Sequence, residues 1–238
     1  MSDMPANWPV LSAAERRVMS VLVEKAKTTP DAYPMSINAL MTGSNQKSNR
    51  DPIMNLNDED VENTLMALQP KGYVTRIQGG RVERWRHNLY DLWSVNKVEL
   101  AILAELLLRG PQTEGELRQR ASRMEPIDDL DALRQALKPL VDRKLVVFLG
   151  PEQRRGTLIT HGFHSTKEID LARSHSPVEE AEPRPHTPVS SPPPGKLEQD
   201  LAEARQEIAA LKTQVGQIQE ALQTTRQQLE VLKASLGG

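Results

Sequence analysis

Basic and amide side chains concentrate in two segments of the N-terminal half of the chain. The first is a polar run over residues 45–50, and the second is a pair of strand-like stretches that carries four arginines. The side chains are Asn45, Gln46, Lys47, Asn49 and Arg50 in the run, and Arg76, Arg81, Arg84 and Arg86 in the stretches. Arginine, lysine and amide groups are common partners of phosphate oxygens in the DNA backbone. The two segments therefore predict a surface that contacts double-stranded DNA.

The same residues also have a structural explanation. The arginines can form a solvated strand face with Glu83 among them, and the polar run can be a loop whose side chains cap neighbouring helices. Residues 1–95 carry eleven basic and eleven acidic side chains, so charge does not decide between the explanations. Trp85, which stands between two of the arginines, is expected to pack in the core against the first helix, with stacking on a base or a partner as the alternative.

Signatures of catalysis are absent from the sequence. It holds no GxxxxGK or GxGxxG loop for phosphates and no HExxH or GxSxG motif. His161 and His164 are three residues apart, but without cysteine or a pattern of carboxylates we expect surface histidines and no metal site. The sequence predicts a protein that is not an enzyme and uses no cofactor or metal.

Composition limits the classes of partner. A chain of 238 residues with 38% hydrophobic residues can form one or two small cores but is too polar to be globular throughout. The net charge of −2 creates no overall field toward nucleic acid or an anionic membrane. The absence of cysteine agrees with a reducing cytoplasm, and no apolar stretch approaches the roughly 18 residues of a membrane helix. We therefore expect a cytoplasmic protein without a membrane partner.

The elements that must position these side chains are predicted twice, in the order helix, helix, helix, hairpin. Ser12 and Glu15 form a capping box ahead of the first helix. The other predicted elements are helices at 36–41 and 58–68 with strands at 73–77 and 82–87, then helices at 97–109, 113–121 and 129–143 with strands at 145–149 and 157–161. Three small helices closed by a hairpin describe a winged helix. The predicted fold is mainly α with small β-hairpins, in tandem winged-helix domains over residues 10–92 and 93–165.

The join between the third helix and the first strand supports this duplication. Five positions correspond to positions 72 residues later: Leu65, Leu68, Lys71, Tyr73 and Val74 match Leu137, Leu140, Arg143, Leu145 and Val146. Both third helices begin with carboxylates, which the helix dipole stabilises. Because these acids would repel phosphates, deep insertion of either helix into a DNA groove is not expected.

The rest of the chain divides into a flexible N-terminus over 1–9, a Pro-rich disordered linker over 166–195 and a coiled coil over 196–238. Apolar residues in the last segment recur in steps of four and three. Its a and d positions include Leu197, Leu201, Ile208, Leu211, Val215, Ile218, Leu222, Leu229, Leu232 and Leu236. Opposite charges at the flanking positions favour self-association as a parallel dimer, and the mixed core also allows a trimer.

Three segments resemble a known bacterial family. They are Thr28-Thr-Pro-Asp-Ala-Tyr-Pro-Met-Ser-Ile-Asn-Ala-Leu40, then Asn45-Gln-Lys-Ser-Asn-Arg50 with Pro52, and Leu107-Leu-Arg-Gly-Pro-Gln-Thr113 followed by Gly115-Glu-Leu-Arg118. In these segments the sequence resembles the YceH-like proteins, a family of tandem winged-helix proteins usually described as uncharacterised. The resemblance implies the fold and a bacterial cytoplasmic setting, and it brings no agreed activity.

Together these patterns predict a non-enzymatic, oligomeric binding protein that contacts DNA, in a regulatory role, through the first wing and the adjacent loop. The alternative is a protein–protein adaptor that uses its winged helices as interaction modules and touches no DNA. The fold analogy and the wing arginines favour DNA, whereas the acidic third helices favour a protein partner.

Overall fold

The computed structural model describes residues 8–78, 82–152 and 154–174, all within one compact unit. This part of the chain is mainly helical with two small antiparallel sheets, which confirms the predicted fold class at that level. The predicted coiled coil with all its a and d residues, most of the predicted linker and Arg81 lie outside the described residues. Within them, no helix combines the length and the apolar character needed to cross a membrane.

The first half of this unit contains three main helices and a hairpin. Helix α1 is Ala13–Thr28, α2 is Ile37–Ser44 and α3 is Asp58–Leu68, with a 3-10 turn over Pro30–Ala32 before α2. Strands β1 (Val74–Ile77) and β2 (Arg84–His87) form an antiparallel pair, and the short helix α4 (Leu89–Trp93) follows them. An isolated bridge from Met35 to Trp85 ties β2 to the segment before α2.

The second half has the same order of elements with one extra strand. Its helices are α5 (Lys97–Arg109), α6 (Glu114–Ala121) and α7 (Leu130–Asp142), and its hairpin strands are β4 (Val146–Phe148) and β5 (Leu158–His161). The short strand Gln112–Thr113, labelled β3, pairs with β5, so the sheet order is β3-β5-β4. Helix α8 (Thr166–Ser174) ends the described chain.

Capping boxes set the starts of α1, α3, α5 and α6. Ser12 and Glu15 cap α1 as the sequence predicts, and Asn57, Asn96 and Thr113 begin α3, α5 and α6 in the same way. In each box the cap side chain accepts a backbone N–H of the first turn, and the acid three residues on accepts the N–H of the cap residue. These N–H groups have no partner inside the helix. Local sequence therefore decides where the helices begin.

Both halves also share hydrogen bonds where the third helix meets the first strand. The N–H of Tyr73 donates to the carbonyl of Leu68 in the first half, and the N–H of Leu145 donates to that of Leu140 in the second. These four residues belong to the sets that the offset of 72 relates in the sequence. The offset thus joins positions with the same backbone role.

One continuous hydrophobic core serves both halves. Helix α5 lies at its centre, since residues 99–108 are all buried, and it packs mainly against α1. Trp85 enters the core from β2 and is 1% exposed, as the sequence predicts. Full burial of a large apolar side chain contributes about 1.5–3 kcal/mol. The two halves are therefore held to each other by the contacts that also fold each of them.

The predicted linker does not begin at residue 166. Residues 166–174 form α8, because the hydroxyl of Ser165 accepts the N–H of Glu168 and the carboxylate of Glu168 accepts the N–H of Ser165. Glu168 also pairs with Arg16 of α1 at 2.7 Å, which ties the helix to the core. The sequence patterns do not predict α4 or β3, which are too short to produce a periodic signal.

Candidate functional site

The polar run predicted to bind phosphate opens the loop between α2 and α3, and part of it is structural. Asn45 uses its whole amide on Leu56: Nδ2 donates to the carbonyl at 2.7 Å, and Oδ1 accepts the N–H at 2.8 Å. These two bonds close the loop across a separation of 11 residues. The Oε1 of Gln46 accepts a hydrogen bond from Arg50 at 2.9 Å. The amide of Asn45 is therefore committed to the loop itself.

Arg50 is the buried centre of this loop. Its Nη1 and Nη2 donate to the two carboxylate oxygens of Glu24 at 3.1 and 2.6 Å, and its Nε donates to the carbonyl of Gly43. Its side chain is 0% exposed, so the guanidinium does not reach an external phosphate. The prediction of a phosphate contact at Arg50 is wrong, because a buried guanidinium needs a charged partner and Glu24 of α1 supplies it.

Lys47 and Asn49 are the predicted loop residues that the structure leaves exposed. Asn49 has a positive φ of 61°, and its Oδ1 accepts hydrogen bonds from Arg109 and, at 3.4 Å, from Arg123. Both arginines come from the second half of the unit. The loop therefore contributes to a surface shared by the two halves.

The arginines of the first hairpin divide between its two faces. Arg76 is opposite Trp85 in the β-pairing, and opposed residues of an antiparallel pair share a face. Arg76 thus lies on the side of the buried tryptophan, where it forms an ion pair with Glu83. Arg84 and Arg86 alternate with Trp85 along β2 and are exposed on the outer face. The structure brings Arg84 and Arg86 together and separates them from Arg76.

The exposed side of α3 is acidic. This helix would enter a DNA groove if the first half bound DNA as helix-turn-helix proteins do. Asp58, Glu59, Asp60 and Glu62 are all exposed, and none of its eleven residues is basic. Met66 lies one turn beyond Glu62 and is 51% exposed. The surface of α3 therefore combines negative charge with one apolar side chain.

A groove runs beside this helix, between α2, α3 and the first hairpin. It has a volume of about 590 Å³, and the carboxylates of Asp58, Glu62 and Glu83 line it. Ile37 and Val82 add apolar surface, and Val82 is 58% exposed. The acidic character of α3 thus continues into a concave surface with apolar contacts.

His161 and His164 are not the surface residues that the sequence predicts. His161 ends β5 and is 1% exposed, and its Nδ1 accepts the N–H of Phe163 at 3.2 Å. The ring of His164 stacks on that of His161, with centroids 3.9 Å apart. Burial lowers the pKa of both rings, and the nearby charge of Arg16 lowers it further. The prediction is wrong because the two rings stack on each other at the end of β5, with Phe163 beside His161 and Arg16 bonded to His164.

A histidine occupies the same place in the first half. His87 ends β2, and its Nδ1 accepts the N–H of Leu89 at 3.4 Å, two residues further on, as in His161. Burial, followed by the charges of Lys27 and Arg86, lowers the pKa of His87 to about 4. Both hairpins thus end on a neutral imidazole, which is buried in His161 and half-buried in His87.

Residues 11–156 match the family model described as Protein of unknown function, DUF480. The chain belongs to the DUF480 family. This confirms the resemblance to the YceH-like group of uncharacterised bacterial proteins. A UPF0502 protein of Rhodopirellula baltica is 48% identical over 66% of this chain and 67% of its own length. Those of Geobacter sulfurreducens and Mesorhizobium japonicum are 41% and 36% identical, over 87% and 89% of this chain and 89% and 98% of their own.

In this DUF480 protein, two of the segments that carry the family resemblance are in contact: one lies in the α2–α3 loop and the other at the end of α5. The N–H of Asp51 donates to the carbonyl of Leu108 at 3.0 Å, beside the bonds from Arg109 and Arg123 to Asn49. Sequence reasoning missed both arginines as neighbours of the loop. Arg109 lies in one of the segments that resemble the family, and this was the one sign in the sequence that it matters. Only the fold shows that it contacts the loop.

Proposed function

We propose that this DUF480 protein is a non-enzymatic assembly protein, an oligomer whose folded unit binds a protein partner through α3 and the groove beside it. The observation that carries the proposal is the exposed side of α3, which has four carboxylates, an exposed methionine and no basic residue. Because this surface is acidic, binding of a protein partner is favoured over binding of DNA.

Each half of the unit is proposed to be a winged helix, which makes two in tandem over residues 10–92 and 93–165. Three likenesses support this: the shared order of elements, the matching turn bonds at Tyr73 and Leu145, and the histidine that ends each hairpin and accepts a backbone N–H two residues further on. Winged helices also serve as protein-interaction modules, so this fold does not require DNA as the ligand.

Electrostatics argue against α3 as a groove-reading helix. A DNA duplex carries one negative charge per about 1.7 Å of its axis. In a groove, the carboxylates of Asp58, Glu59 and Glu62 would approach phosphates, at about 1 kcal/mol of repulsion per pair at 4 Å in water and more where water is excluded. No basic residue of α3 offsets this repulsion. With a basic protein segment in place of DNA, the interaction with these carboxylates would be attractive.

The groove chemistry defines the partner we expect. Asp58 and Glu62 suit a segment with lysine or arginine, and such charge complementarity raises the association rate and the specificity; Glu83 is already paired with Arg76. Ile37 and Val82 suit an apolar anchor on the same segment, whose burial contributes about 25 cal/mol per Å². The proposed partner is therefore a basic protein segment with an apolar anchor.

The heptad pattern over 196–238 is proposed to join two such units as a parallel dimer, behind a Pro-rich spacer. These residues lie outside the described part of the chain, so their role is argued from the sequence alone. Pairing presents each binding surface twice, and avidity raises the apparent affinity without any new contact.

DNA association through the first hairpin is the second candidate function. The observation in its favour is that Arg84 and Arg86 are exposed on one face of β2, and Lys47 is exposed on the loop after α2. These side chains can contact phosphates while α3 stays outside the groove.

The test of the first candidate is affinity capture with the full chain from a nuclease-treated lysate of its own host. We expect one stoichiometric protein partner, lost when Glu59→Lys and Glu62→Lys are combined. Asp142→Lys with Glu152→Lys, which reverses two exposed acids of the second half, is the matched control and should keep the partner. Capture that is unchanged by the α3 reversal, or that returns no partner, overturns the proposal.

The DNA candidate is tested by a mobility shift of generic duplex DNA with the full chain at low salt. Arg84→Ala with Arg86→Ala should abolish a shift that depends on the wing, whereas Lys138→Ala with Arg155→Ala, two exposed cations of the second half, should leave it intact. A salt-dependent shift with this pattern would put DNA first. No shift at low salt would eliminate it.

A further inference from the structure

A cavity of about 310 Å³ lies between α1, the segment 51–54, the C-terminal end of α5 and the chain from His161 into α8. Its volume is at the lower end of the roughly 300–1,000 Å³ typical of small-molecule sites. Its walls come from both halves of the unit and include parts of two segments that carry the family resemblance. The proposed function uses none of these residues.

Arg17 places a buried positive charge in this wall. Its side chain is 1% exposed and donates to the carbonyls of Ser44 at 2.8 Å, Pro52 at 2.7 Å and Leu108 at 3.4 Å. Within the described residues no carboxylate hydrogen-bonds to it, and its Nε has no partner. Burial, followed by repulsion from Arg50, lowers its pKa to about 10, which leaves it charged at neutral pH. A buried cation bonded to neutral acceptors is stabilised by an anion nearby.

His161 adds an unused donor. Because its Nδ1 accepts the N–H of Phe163, the neutral ring carries its proton on Nε2. That Nε2 makes no hydrogen bond to another side chain in the part of the chain that the structure describes. The stacked His164 differs, since its Nδ1 lies 2.9 Å from Nη1 of Arg16 and its Nε2 lies 3.0 Å from Oγ1 of Thr160. Of the two rings, His161 is the one with a donor to offer in the cavity wall.

The charge balance of the wall is positive. Three arginines, at 16, 17 and 109, line it with two carboxylates, Asp51 and Glu168. Glu168 is already engaged by Arg16 and Ser165; although burial raises its pKa, these hydrogen bonds outweigh burial and lower it to about 2. Arg109 is likewise paired, since its Nε lies 3.3 Å from a carboxylate oxygen of Glu105. Asp51 and Glu24 favour the charge of Arg17 but form no hydrogen bond to it in the part of the chain that the structure describes. Arg17 is therefore the arginine of this wall that has only neutral hydrogen-bond acceptors.

We propose that this cavity binds a small organic anion, whose carboxylate or phosphate end accepts hydrogen bonds from His161 and Arg17. Its apolar body would lie against Pro52, Met54 and Leu107, which complete the wall. Both kinds of anionic end accept charge-assisted N–H bonds, and these are stronger than bonds between neutral groups. The site stands apart from the partner surface on α3, so its success or failure leaves the proposed function untouched.

The test is titration of the full chain with succinate and with inorganic phosphate, by calorimetry at neutral pH and constant ionic strength with NaCl as the reference. We expect saturable binding of at least one of these anions. In ¹⁵N-histidine-labelled protein, the Nε2 signal of His161 should shift on saturation while that of His87 stays in place. Binding of succinate assigns a carboxylate ligand, and binding of phosphate alone assigns a phosphate ester.

The decisive variant is His161→Phe, which keeps a ring in the wall and removes the donor. The affinity should fall at least about tenfold, because a hydrogen bond to a charged group is lost. His87→Phe is the matched control: it removes the equivalent imidazole and the equivalent backbone bond of the first hairpin, outside the cavity. Its affinity should equal that of the wild type.

A second pair covers the case that His161→Phe does not fold, as judged by circular dichroism. Arg109 and Arg123 both donate to Asn49, but only Arg109 lines the cavity. Arg109→Gln should therefore weaken binding, whereas Arg123→Gln should not. The proposal is overturned if the wild type binds neither anion at millimolar concentration, or if each variant and its control bind equally well.

Discussion

In both halves of the molecule the same turn joins the third helix to the first strand, but glycine occupies different positions. In one half glycine is the turn residue, and in the other it is the residue that faces the turn. In the first half the turn residue is Gly72, at φ 78°, and Asn88 faces it from the end of the hairpin. In the second half the turn residue is Lys144, at φ 58°, and Gly162 faces it. The N–H groups of Asn88 and Gly162 donate to equivalent strand carbonyls, so the positions correspond.

The two glycines therefore meet different physical demands. A left-handed backbone is free of strain at Gly72, while the same conformation costs a residue with a side chain, such as Lys144, about 1–2 kcal/mol. At Gly162 the demand is space, because a Cβ there would overlap the carbonyl oxygen of Lys144. In the first half the side chain of Asn88 fills this space and donates to the carbonyl of Gly72 at 3.2 Å. A shared fold thus does not imply that its glycines have one role.

The connections between the second and third helices differ as well. In the first half residues 45–57 form a long loop around buried Arg50, which is paired with Glu24. In the second half residues 122–129 form a shorter connection, in which Arg118 donates only to the carbonyls of Ile127 and Asp128. One half relies on a buried ion pair where the other relies on neutral acceptors.

The largest effect is expected where this contrast is strongest. Arg50→Ala should lower the free energy of unfolding by about 3–5 kcal/mol, because it leaves Glu24 without its bidentate partner in a largely buried site. Arg118→Ala should lower it by only about 1 kcal/mol, the net value of a hydrogen bond to a neutral acceptor. Urea unfolding of the two variants measures both. Similar losses would mean that the buried pair does not distinguish the halves.

The next largest effect is expected for a substitution of Gly162, the glycine that faces the turn. Gly162→Ala should destabilise the protein by about 3 kcal/mol, the upper end of the usual range for overpacking, because backbone must move to admit the methyl group. Gly115→Ala, in α6, is the control, since nothing lies within 4 Å of its added Cβ. That substitution should stabilise the helix by up to about 1 kcal/mol. Thermal unfolding of both variants checks the sign as well as the size, and a tolerated Gly162→Ala would refute the crowding argument.

A smaller effect, of opposite sign in the two halves, is expected at the turn residue itself. Gly72→Ala should cost about 1 kcal/mol, since it forces a side chain into the left-handed conformation. Lys144→Gly should raise the free energy of unfolding by up to about 1 kcal/mol, because it relieves that strain at a modest entropic cost. Denaturant midpoints measured for both variants test the comparison, which fails if they shift in the same direction.

The two terminal histidines of the hairpins predict a pH dependence common to both halves. In the unfolded chain a histidine binds its proton near pH 6.5, whereas in the folded protein burial lowers the pKa of His87 to about 4 and that of His161 well below its usual value. The unfolded state therefore binds more protons as the pH falls below about 6.5, and stability declines from there toward about pH 4.

Urea unfolding across this range should show the decline, with little change above pH 6.5 from these groups. His87→Phe should make the slope shallower, because one of the contributing imidazoles is gone. Lys47→Ala, at an exposed position, should leave the slope unchanged. A wild-type stability that stays flat over this window would show that neither histidine is held neutral.

Local sequence predicted the elements well where capping and periodicity act together. The bounds of α3 and α5 coincide with the predicted 58–68 and 97–109, because an asparagine cap and an acid three residues later mark each start. The predicted phosphate-binding residues fared differently. Whether Arg50 is a surface contact or a core ion pair depends on Glu24, which is 26 residues away and has no periodic relation to it.

The sequence alone predicted the order of helices and hairpins, the burial of Trp85 and the family. Each of these depends on residues that are close together in the sequence or on a contiguous motif. The tertiary structure alone decided which charges remain outside. In the folded unit α1 packs against α5, Arg17, Arg50 and His161 are buried, and strand register sends Arg76 to one face and Arg84 to the other. Burial is set by contacts between distant segments, so side chains of the same type in one motif came to have different roles.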